Sequence, residues 1–529
     1  MVVAMTRTRS KPLILVALLM ASFLINLDTT LVNVALPTLT RELGATTSQL
    51  QWVVDAYSLV FAALLLTSGS LSDRFGRKGM LLAGLLVFGS ASFVGGYAST
   101  TGELIAARAV MGLGAAMTFP ATLSLLTGVF TSRKERALAI GLWGATAGMA
   151  IALGPIVGGF LLAHYSWASV FYTLGPVSLA VAGLVALGVP RGRHVASHRL
   201  DVPGLVVSAG FMGLLVYTII EAPNRGWTST GSILGFAGSA VLLIGFIVSE
   251  RRASAPMLDV RLFTNMRFSA ASASVTISFF TLFGFIFVIT QFFQFIRGYS
   301  ALSAGVRLLP VALAVAVGSI LGTRLAIKVG TKAIVTAGLL LQALFYFWVA
   351  DTVSPTFSYT WIALQMVVYG LGMGLTSAPA TESIMGAVRA DQAGVGSAIN
   401  DSTRLLGGTL GVAVIGSVYL SLYHSRLATA LPPSLPQSLK VLVRDSIGGA
   451  YGVSAQLTTH GQAGAASLVR QAATGAFDHG ISVGCVVAGA VAVAGALLSA
   501  RFLPAQPPAQ PAGEPPAVPA KPDFAGAND

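Results

Sequence analysis

The stretch Gly69-Ser-Leu-Ser-Asp-Arg-Phe-Gly-Arg-Lys78 decides the fold of this chain, because it places four charges between two long apolar segments. A soluble protein rarely flanks such a stretch with uncharged apolar chain, whereas a membrane protein does so at a turn between spanning helices. Gly69 and Gly76 permit a close helix approach and a tight turn, and Asp73 can accept hydrogen bonds from a neighbouring helix N-terminus. The three other charges are basic, which favours the cytoplasmic side. We therefore interpret the stretch as a cytoplasmic turn.

The composition agrees with a polytopic membrane protein. Of 529 residues, 54% are hydrophobic and only 10% are charged, and the mean hydropathy is +0.79, whereas about a quarter of the residues of a soluble domain are charged. The net charge of +13 does not indicate a nucleic-acid partner, because the basic residues are spread over short loops and form no single patch. Cys485 is the only cysteine, so an intrachain disulfide is excluded.

A membrane span needs about 20 mostly apolar residues, and the chain contains fourteen such segments. These are residues 13–33, 51–71, 79–99, 103–127, 137–163, 168–189, 204–221, 231–249, 268–295, 302–327, 333–351, 358–386, 395–423 and 477–502. With the N-terminus placed in the cytoplasm, 22 of the 32 Lys and Arg residues fall on the cytoplasmic side and 8 on the opposite side. This bias predicts that both termini are cytoplasmic. The high Ala and Gly content and the short loops suggest a bacterial inner membrane.

The start of the chain allows a second interpretation. Arg7, Arg9 and Lys11 precede an apolar run, as in a cleavable signal peptide. Asp28 interrupts that run and further spans follow, so we expect the segment to be retained as the first helix.

The spans divide into two sets of six. Residues 322–332 form a degenerate echo of residues 69–78, and residues 368–374 partly repeat the pattern that begins at Arg108. Repeated halves around a midplane cavity are typical of secondary transporters. We predict an N-terminal six-helix bundle at residues 1–200, followed by an extra hairpin with a linker at residues 201–256. A C-terminal six-helix bundle follows at residues 257–503 and contains an external loop at residues 424–476. The last segment, residues 504–529, is predicted to be a disordered cytoplasmic tail.

Ionisable groups inside spans are costly and are usually functional. Asp28 has no cation in its own span, so it must be protonated or find a partner, for which Arg108 is the natural candidate. Competition between a proton and a cationic substrate for one carboxylate is a simple antiport device. Asp401 and Arg404 share a helix face and could be functional or only a structural ion pair. Asp55 and Glu382 could serve function or extend to the membrane interface.

Spans 5 and 9 have distinctive compositions. In span 5, Pro155 is expected to bend the helix, and Gly144, Gly148, Gly154 and Gly158, at spacings of four and six residues, are expected to permit close packing against another helix; Gly159 follows. Span 9 has eight phenylalanines, namely Phe279, Phe280, Phe283, Phe285, Phe287, Phe292, Phe293 and Phe295. At least half of them are expected to face lipid, while Gln291 and Gln294 share a face that would line a cavity.

Motifs of enzymes are absent from the sequence. It contains no Gly-x-x-x-x-Gly-Lys-Ser/Thr loop, no His-Glu-x-x-His, no Gly-x-Ser-x-Gly and no cysteine cluster, and its six histidines are dispersed. We therefore expect neither an enzyme nor a metal site.

These motifs together resemble the 14-helix drug:proton antiporters of the major facilitator superfamily, the EmrB/QacA-like group. The resemblance rests on Leu27–Pro37, Gly69–Lys78, Arg108–Ala116, Gly154–Gly159, Asp201–Gly204, Arg297–Ser300 with Ala304 and Gly305, and Ala393–Gly411. It implies an all-α membrane protein with the major facilitator fold, two six-helix bundles and an extra central helix pair. It also implies proton-driven export of hydrophobic or cationic drugs, dyes or antibiotics, with no cofactor except the coupling proton and with a monomer as the working unit.

The resemblance also implies roles for individual residues. Proton coupling would use Asp28, Arg108 and Asp401, the last at a position that can be acidic in members handling organic cations. The expected substrate cavity contains Asp28, Asp55, Phe287, Gln291, Gln294, Asn400, Asp401 and Arg404. A conformational latch would use Gly69, Asp73, Arg74, Gly76, Arg77, Lys78 and Arg136. The antiporter motif would consist of Gly148, Gly154, Pro155, Gly158 and Gly159.

The chain departs from the family pattern at Met111, at Trp167–Ser169 and at Leu405, which weakens any inference about a particular substrate. Two alternatives therefore stay open. One is an exporter of an endogenous metabolite or self-made antibiotic, and the other is a non-transporting membrane sensor or scaffold.

Overall fold

The computed structural model describes residues 11–130, 132–190, 201–253, 256–387, 393–433 and 435–505, and within these ranges every regular element is helical. A 3₁₀ turn at Val260–Thr264 and a π turn at Phe292–Ile296 flank α9. The α-helices are α1 (Lys11–Leu43), α2 (Thr47–Phe75), α3 (Arg77–Gly95), α4 (Thr101–Val129), α5 (Arg133–His164), α6 (Ser169–Gly188), α7 (Val202–Arg225), α8 (Thr230–Arg252), α9 (Met266–Gln291), α10 (Ala301–Val306), α11 (Leu309–Val329), α12 (Thr331–Thr352), α13 (Tyr359–Met385), α14 (Ala393–Ala430), α15 (Gln437–Asp445), α16 (Ile447–Thr459) and α17 (Ala463–Phe502).

Thirteen of the described segments are long and apolar enough to cross a membrane, and the bent α5 makes fourteen. This agrees with the fourteen predicted spans, with α10 and α11 together forming the tenth. Helix α5 bends by 41° between Ala150 and Ala152. The bend has a local cause, because the ring of Pro155 clashes with the carbonyl group four residues earlier, at Ile151. We call the end of the bundle where α1 begins the terminal end, and the opposite end the distal end.

The charged stretch 69–78 is less of a loop than predicted. Helix α2 continues to Phe75 and α3 starts at Arg77, so Gly76 alone joins them. Gly76 has a φ of 94°, in the region that favours glycine. A helix can continue into water beyond the apolar layer, because its backbone hydrogen bonds are made within the helix. The length of the apolar segment therefore underestimated the length of the helix.

The predicted loop 424–476 is also mostly helical. Helix α14 has 38 residues and α17 has 40, so each spans about 60 Å at 1.5 Å per residue, against an apolar layer of about 30 Å. Between them, α15 and α16 cover the distal end: Thr47 donates to the Asp445 carbonyl at 3.0 Å, and Gly448 packs against Thr40 and Phe295. The Ser446 side chain caps α16 at Gly449.

The turn at Gly76 has a counterpart at Gly330, which joins α11 directly to α12 with a φ of 100°. The same pattern of short inter-helix contacts follows each turn. Gly84 of α3 faces Gly114 and Thr118 of α4, and Gly338 of α12 faces Gly372 and Thr376 of α13. Two residues before Gly114, Gly112 of α4 faces the Tyr57 carbonyl of α2. Two residues before Gly372, Gly370 of α13 likewise faces the Val311 carbonyl of α11. The two halves therefore repeat one packing scheme.

The extra hairpin lies at the side of this arrangement. Val216, Ile219 and Ile220 of α7 form a buried cluster with Ala413 of α14, and Asn224 donates to Ser48 of α2 at 3.0 Å. Helix α7 thus covers the line where α2 of the first half meets α14 of the second, while α8 lies outside it and is largely exposed.

A first prediction concerns the close packing of α3 and α4. A Cβ atom at Gly114 would come within 2.5 Å of the Phe88 backbone nitrogen, so Gly114→Ala should destabilise the protein by about 1–3 kcal/mol through overpacking. Thermal unfolding in detergent measures this change. Gly213→Ala is the matched control, because no described residue lies within 4 Å of a Cβ atom there. Equal unfolding temperatures for the two variants would contradict the packing argument.

Candidate functional site

The central feature of the site is an ion pair between Asp28 of α1 and Arg108 of α4. One guanidinium nitrogen of Arg108, Nη1, donates to Asp28 Oδ1 at 2.8 Å and to Oδ2 at 2.6 Å. Both side chains are buried, with 0% and 1% of their surface exposed. The partnership inferred from the sequence is therefore present, and no charge of the pair faces solvent.

Arg108 is also tied to α2. Its Nε donates to the Val53 carbonyl at 2.9 Å, and its guanidinium lies over the Tyr57 ring at 4.3 Å from the centroid. The Tyr57 hydroxyl in turn donates to the Ile25 carbonyl of α1 at 3.2 Å. One side chain therefore connects three helices, and any loss of the Asp28 charge changes the balance of contacts in all of them.

A polar stripe on α1 was missed by the sequence analysis. Ser22, Asn26, Thr29 and Asn33 are spaced by three and four residues, so they share one face of the helix. Their side chains bond locally, as from Asn26 to the Ser22 carbonyl and from Asn33 to the Thr29 carbonyl, both at 2.8 Å. Asn26 and Thr29 remain partly exposed. The spacing was the available signal, but Asp28 drew attention to a different face.

Asp55 does not extend to the membrane interface, so that alternative is wrong. It is fully buried in α2, and neither of its carboxylate oxygens has a hydrogen-bond partner among the described residues. One turn nearer the distal end, Gln51 donates to the Val412 and Ala413 carbonyls of α14, at 3.1 and 2.9 Å. Asp55 therefore lies beside the junction of the two halves. The contribution of Gln51 was not predicted.

Asp401 and Arg404 form only a loose pair. Their nearest charged atoms are 3.9 Å apart, whereas Arg404 donates to Thr381 at 3.2 Å and lies over the Phe279 ring. Asn400 accepts from the same Thr381 hydroxyl at 3.0 Å. The structure thus gathers three predicted cavity residues at the α13–α14 contact, but no contact joins them to Asp28 among the described residues. Glu382 is exposed near the terminal end of α13.

The expectation that at least half of the span 9 phenylalanines face lipid is wrong. Six of the eight are buried and the other two are partly buried, because α9 packs against other helices around most of its circumference. Phe287 is fully buried. Gln291 donates to the Phe287 carbonyl of its own helix at 3.2 Å, and Gln294 donates across the halves to Val34 at 2.9 Å. Their predicted place in a substrate cavity stays a prediction.

The glycines of α5 fall into two groups. A Cβ atom at Gly154 or Gly158 would collide with Thr30 or Leu31 of α1, and one at Gly159 with Leu302 of α10. Opposite Pro155, Gly305 of α10 allows the same close approach. Among the described residues, nothing lies within 4 Å of a Cβ atom at Gly144 or Gly148, so the close packing predicted for these two glycines is not found there. Spacing alone did not separate the packed face from the open one.

The predicted latch is only partly described. The surroundings of Gly69 and the side chains of Asp73, Arg74 and Arg136 lie outside the described part of the structure. Arg77 donates to the Ser124 carbonyl of α4 at 3.1 Å, and Lys78 donates to the Ala186 and Val189 carbonyls at 2.7 Å. Lys78 therefore donates to two carbonyls at the C-terminus of α6, where a cation is favoured. Both basic side chains anchor the turn to the N-terminal half.

Comparison with known proteins relates this geometry to a family. The model of the Major Facilitator Superfamily matches residues 18–412. The multidrug resistance protein Stp of Mycobacterium tuberculosis is 34% identical over 82% of this chain and 80% of its own length. The multidrug efflux pump LfrA of Mycolicibacterium smegmatis is 32% identical over 93% and 96%. A crystal structure of a bacterial homologue of the human lysosomal transporter Spinster, inward-facing and occupied, has a TM-score of 0.66 at 17% identity, covering 93% of this chain and 98% of the other.

A second prediction separates the contribution of the ion pair to the free energy of unfolding from the cost of leaving either charge unpaired. Asp28→Asn or Arg108→Gln alone leaves one buried charge unpaired, which should destabilise the protein by about 3–5 kcal/mol, whereas the double variant removes both charges and should recover most of that loss. Thermal unfolding of the purified variants in detergent measures the coupling. Purely additive losses in the double variant would show that the two side chains are not energetically linked.

Proposed function

Because the chain belongs to the major facilitator superfamily, we propose that it is a proton-coupled exporter of hydrophobic or cationic drugs, dyes or antibiotics. The names of its relatives, a multidrug resistance protein and a multidrug efflux pump, support export of such compounds. The observation that carries proton coupling is the buried contact between Asp28 and Arg108. Such a transporter is not an enzyme, and it needs no cofactor besides the proton.

The proposed mechanism follows from the fact that a buried charge needs compensation. While Arg108 holds the Asp28 carboxylate, both charges are satisfied. A proton on Asp28 removes its negative charge and weakens the bond to Arg108, which then depends on Val53 and the Tyr57 ring. A cationic substrate near Asp28 competes with that proton for the same carboxylate. Binding of one would therefore promote release of the other, which is the requirement for antiport.

Contacts between the halves support alternating access. Among the described residues, the contacts of this kind that join α1, α2 or α5 to helices of the second half lie toward the distal end, at Gln51, Gln294, Gly159 and Gly305. Near the terminal end, Thr67 of α2 contacts Met257, which precedes α9 and belongs to no helix. With the termini in the cytoplasm, as the basic residues favour, the distal end is the external side and is closed. We infer that this state gives access from the cytoplasm, and that opening these contacts forms the state that releases substrate.

Two further carboxylates have separate proposed roles. An unpaired buried carboxylate is expensive, so Asp55 would hold a proton in this state and change partners when α2 moves against α14. Asp401 is held only loosely by Arg404, which leaves it available to attract a cationic substrate. The latch residues Gly69, Asp73, Arg74, Gly76, Arg77, Lys78 and Arg136 would stabilise one of the two states.

The setting and the alternatives complete the proposal. We place the protein in the inner membrane of a bacterium, with both termini cytoplasmic and a monomer as the working unit. An exporter of an endogenous metabolite uses the same machinery and differs only in cargo. The non-transporting sensor or scaffold is disfavoured. A buried carboxylate such as Asp55, which has no hydrogen-bond partner among the described residues, costs folding free energy that such a protein has no reason to spend.

A third prediction tests antiport directly. In inverted vesicles with an imposed proton gradient, the wild type should accumulate ethidium, and Asp28→Asn should abolish gradient-driven accumulation because it can no longer exchange a proton. Fluorescence of ethidium measures the movement. Asp351→Asn is the matched control, because Asp351 is exposed at the distal end of α12, and it should transport normally.

Other outcomes of this experiment separate the alternatives. If the wild type moves no ethidium but other candidate cargoes dissipate the gradient, export stands and the cargo is different. Undiminished gradient-driven transport by Asp28→Asn would overturn the role of Asp28. No response to any cargo would favour the sensor or scaffold.

A fourth prediction tests the movement of the halves. A Cβ atom at Gly416 would lie 2.6 to 3.1 Å from the side chain of Gln51, so cysteines at these two positions should form a disulfide. In a Cys485→Ser background, oxidation of Gln51→Cys/Gly416→Cys should abolish transport, and reduction should restore it.

The matched control joins two helices of one half. Ser274 of α9 and Ser499 of α17 have hydroxyl oxygens 2.8 Å apart, so Ser274→Cys/Ser499→Cys should also cross-link but retain transport. Full transport by the oxidised Gln51→Cys/Gly416→Cys protein would contradict alternating access at this junction.

A further inference from the structure

A pocket lies inside the second half, away from Asp28. It is enclosed by α9, α12, α13, α14 and α17 near the distal end, and it reaches the α12–α13 connection at Ser354 and Phe357. Its wall is mostly apolar and aromatic, and it contains no charged side chain. The aromatic part of the wall consists of Phe285, Phe292, Phe345, Tyr346, Phe357 and Tyr419. None of the predicted cavity residues lines this pocket.

The repeated packing scheme explains why space is available there. Arg108 stands four residues before Gly112, and Met366 stands four residues before Gly370, the glycine that makes the matching contact in the second half. Met366 is fully buried and lines the pocket. In the first half, the Asp28–Arg108 ion pair and its hydrogen bonds fill the equivalent region. In the second half, that position holds the flexible thioether of Met366, and no described ion pair lies at this position.

One polar group in the wall lacks a partner. The Tyr419 side chain is 1% exposed, and its hydroxyl makes no hydrogen bond among the described residues. Other polar groups of the wall are satisfied: Gln365 donates to Thr352 at 2.9 Å, and the Tyr346 hydroxyl donates to the Thr281 carbonyl. A buried hydroxyl without a partner costs free energy that a suitable acceptor would recover.

We propose that this pocket is a second binding site, which takes neutral ring compounds carrying one hydrogen-bond acceptor. The aromatic wall offers edge and face contacts to a flat ring, and the Tyr419 hydroxyl donates to the acceptor. A cation finds no carboxylate there, which separates this site from the one at Asp28. A lipid acyl chain would fill the apolar space but would leave the hydroxyl unsatisfied, so a ring with an acceptor fits better.

The test uses Cys485, which lines the pocket and is the only thiol of the chain. Benzophenone is the probe, because it has two rings and one carbonyl acceptor, and diphenylmethane is its matched control without the acceptor. In purified full-length protein, benzophenone should slow alkylation of Cys485 by N-ethylmaleimide at lower concentration than diphenylmethane does. On irradiation, benzophenone should cross-link to peptides of α9, α13, α14 or α17.

Variants make the outcome specific. Tyr419→Phe should raise the half-protecting concentration of benzophenone by roughly three- to tenfold, as expected for one hydrogen bond, and should leave that of diphenylmethane unchanged. Val349→Trp should fill the pocket and reduce protection by both. The proposal is overturned if benzophenone gives no protection, if Tyr419→Phe changes nothing, or if hexadecane protects where benzophenone does not, the last result indicating a lipid-chain site.

This measurement needs neither a proton gradient nor transport. If benzophenone protects Cys485 in a protein that exports nothing, the second site is supported and the proposed function is contradicted. If the protein exports drugs but benzophenone gives no protection, the proposed function is supported and the second site is contradicted.

Discussion

A charge cannot stay uncompensated inside a membrane, and the Asp28–Arg108 contact is how this protein meets that constraint. The consequence extends beyond the pair, because Arg108 also bonds to Val53 and covers the Tyr57 ring. Helices α1, α2 and α4 are therefore positioned by one guanidinium. A proton that reaches Asp28 changes the charge at the point where these helices meet. Protonation of Asp28 and the relative positions of α1, α2 and α4 are therefore thermodynamically coupled.

Glycine-mediated packing provides the frame that holds this pair. The two halves repeat the contacts of Gly84, Gly114 and Thr118 at Gly338, Gly372 and Thr376. On that shared frame, the equivalent positions Arg108 and Met366 carry opposite chemistry. Because close backbone packing is common to both halves, it cannot be the source of the difference in function. The difference comes from the side chains placed on the frame, a charged pair in one half and an aromatic pocket in the other.

The sequence was sufficient for features that depend on composition along the chain. Apolar length predicted the spans, and the lack of a cation near Asp28 pointed to Arg108. Features that depend on which way a helix face turns were not predictable. Spacing treated Gly148 and Gly154 alike, although only Gly154 packs against α1. The phenylalanines of α9 match a lipid-facing helix in composition, yet α9 is buried by its neighbours. The helices α15 and α16 have only 9 and 13 residues, which is too short to cross an apolar layer, so hydropathy gave no information about them.

The junction between the halves has a property that neither half has alone. Two buried side chains there have one atom bonded and another without a partner. Gln51 and Gln294 each donate an amide N–H across the junction, while their side-chain carbonyl oxygens stay unpaired among the described residues. Asp55, one turn from Gln51 on α2, has no hydrogen-bond partner in the part of the chain that the structure describes. In a single static state such groups are a cost. In a protein with two states, a group that is half satisfied in each can change partners without a large difference in free energy. Incomplete hydrogen bonding at this junction is therefore what an exchange between two packings requires.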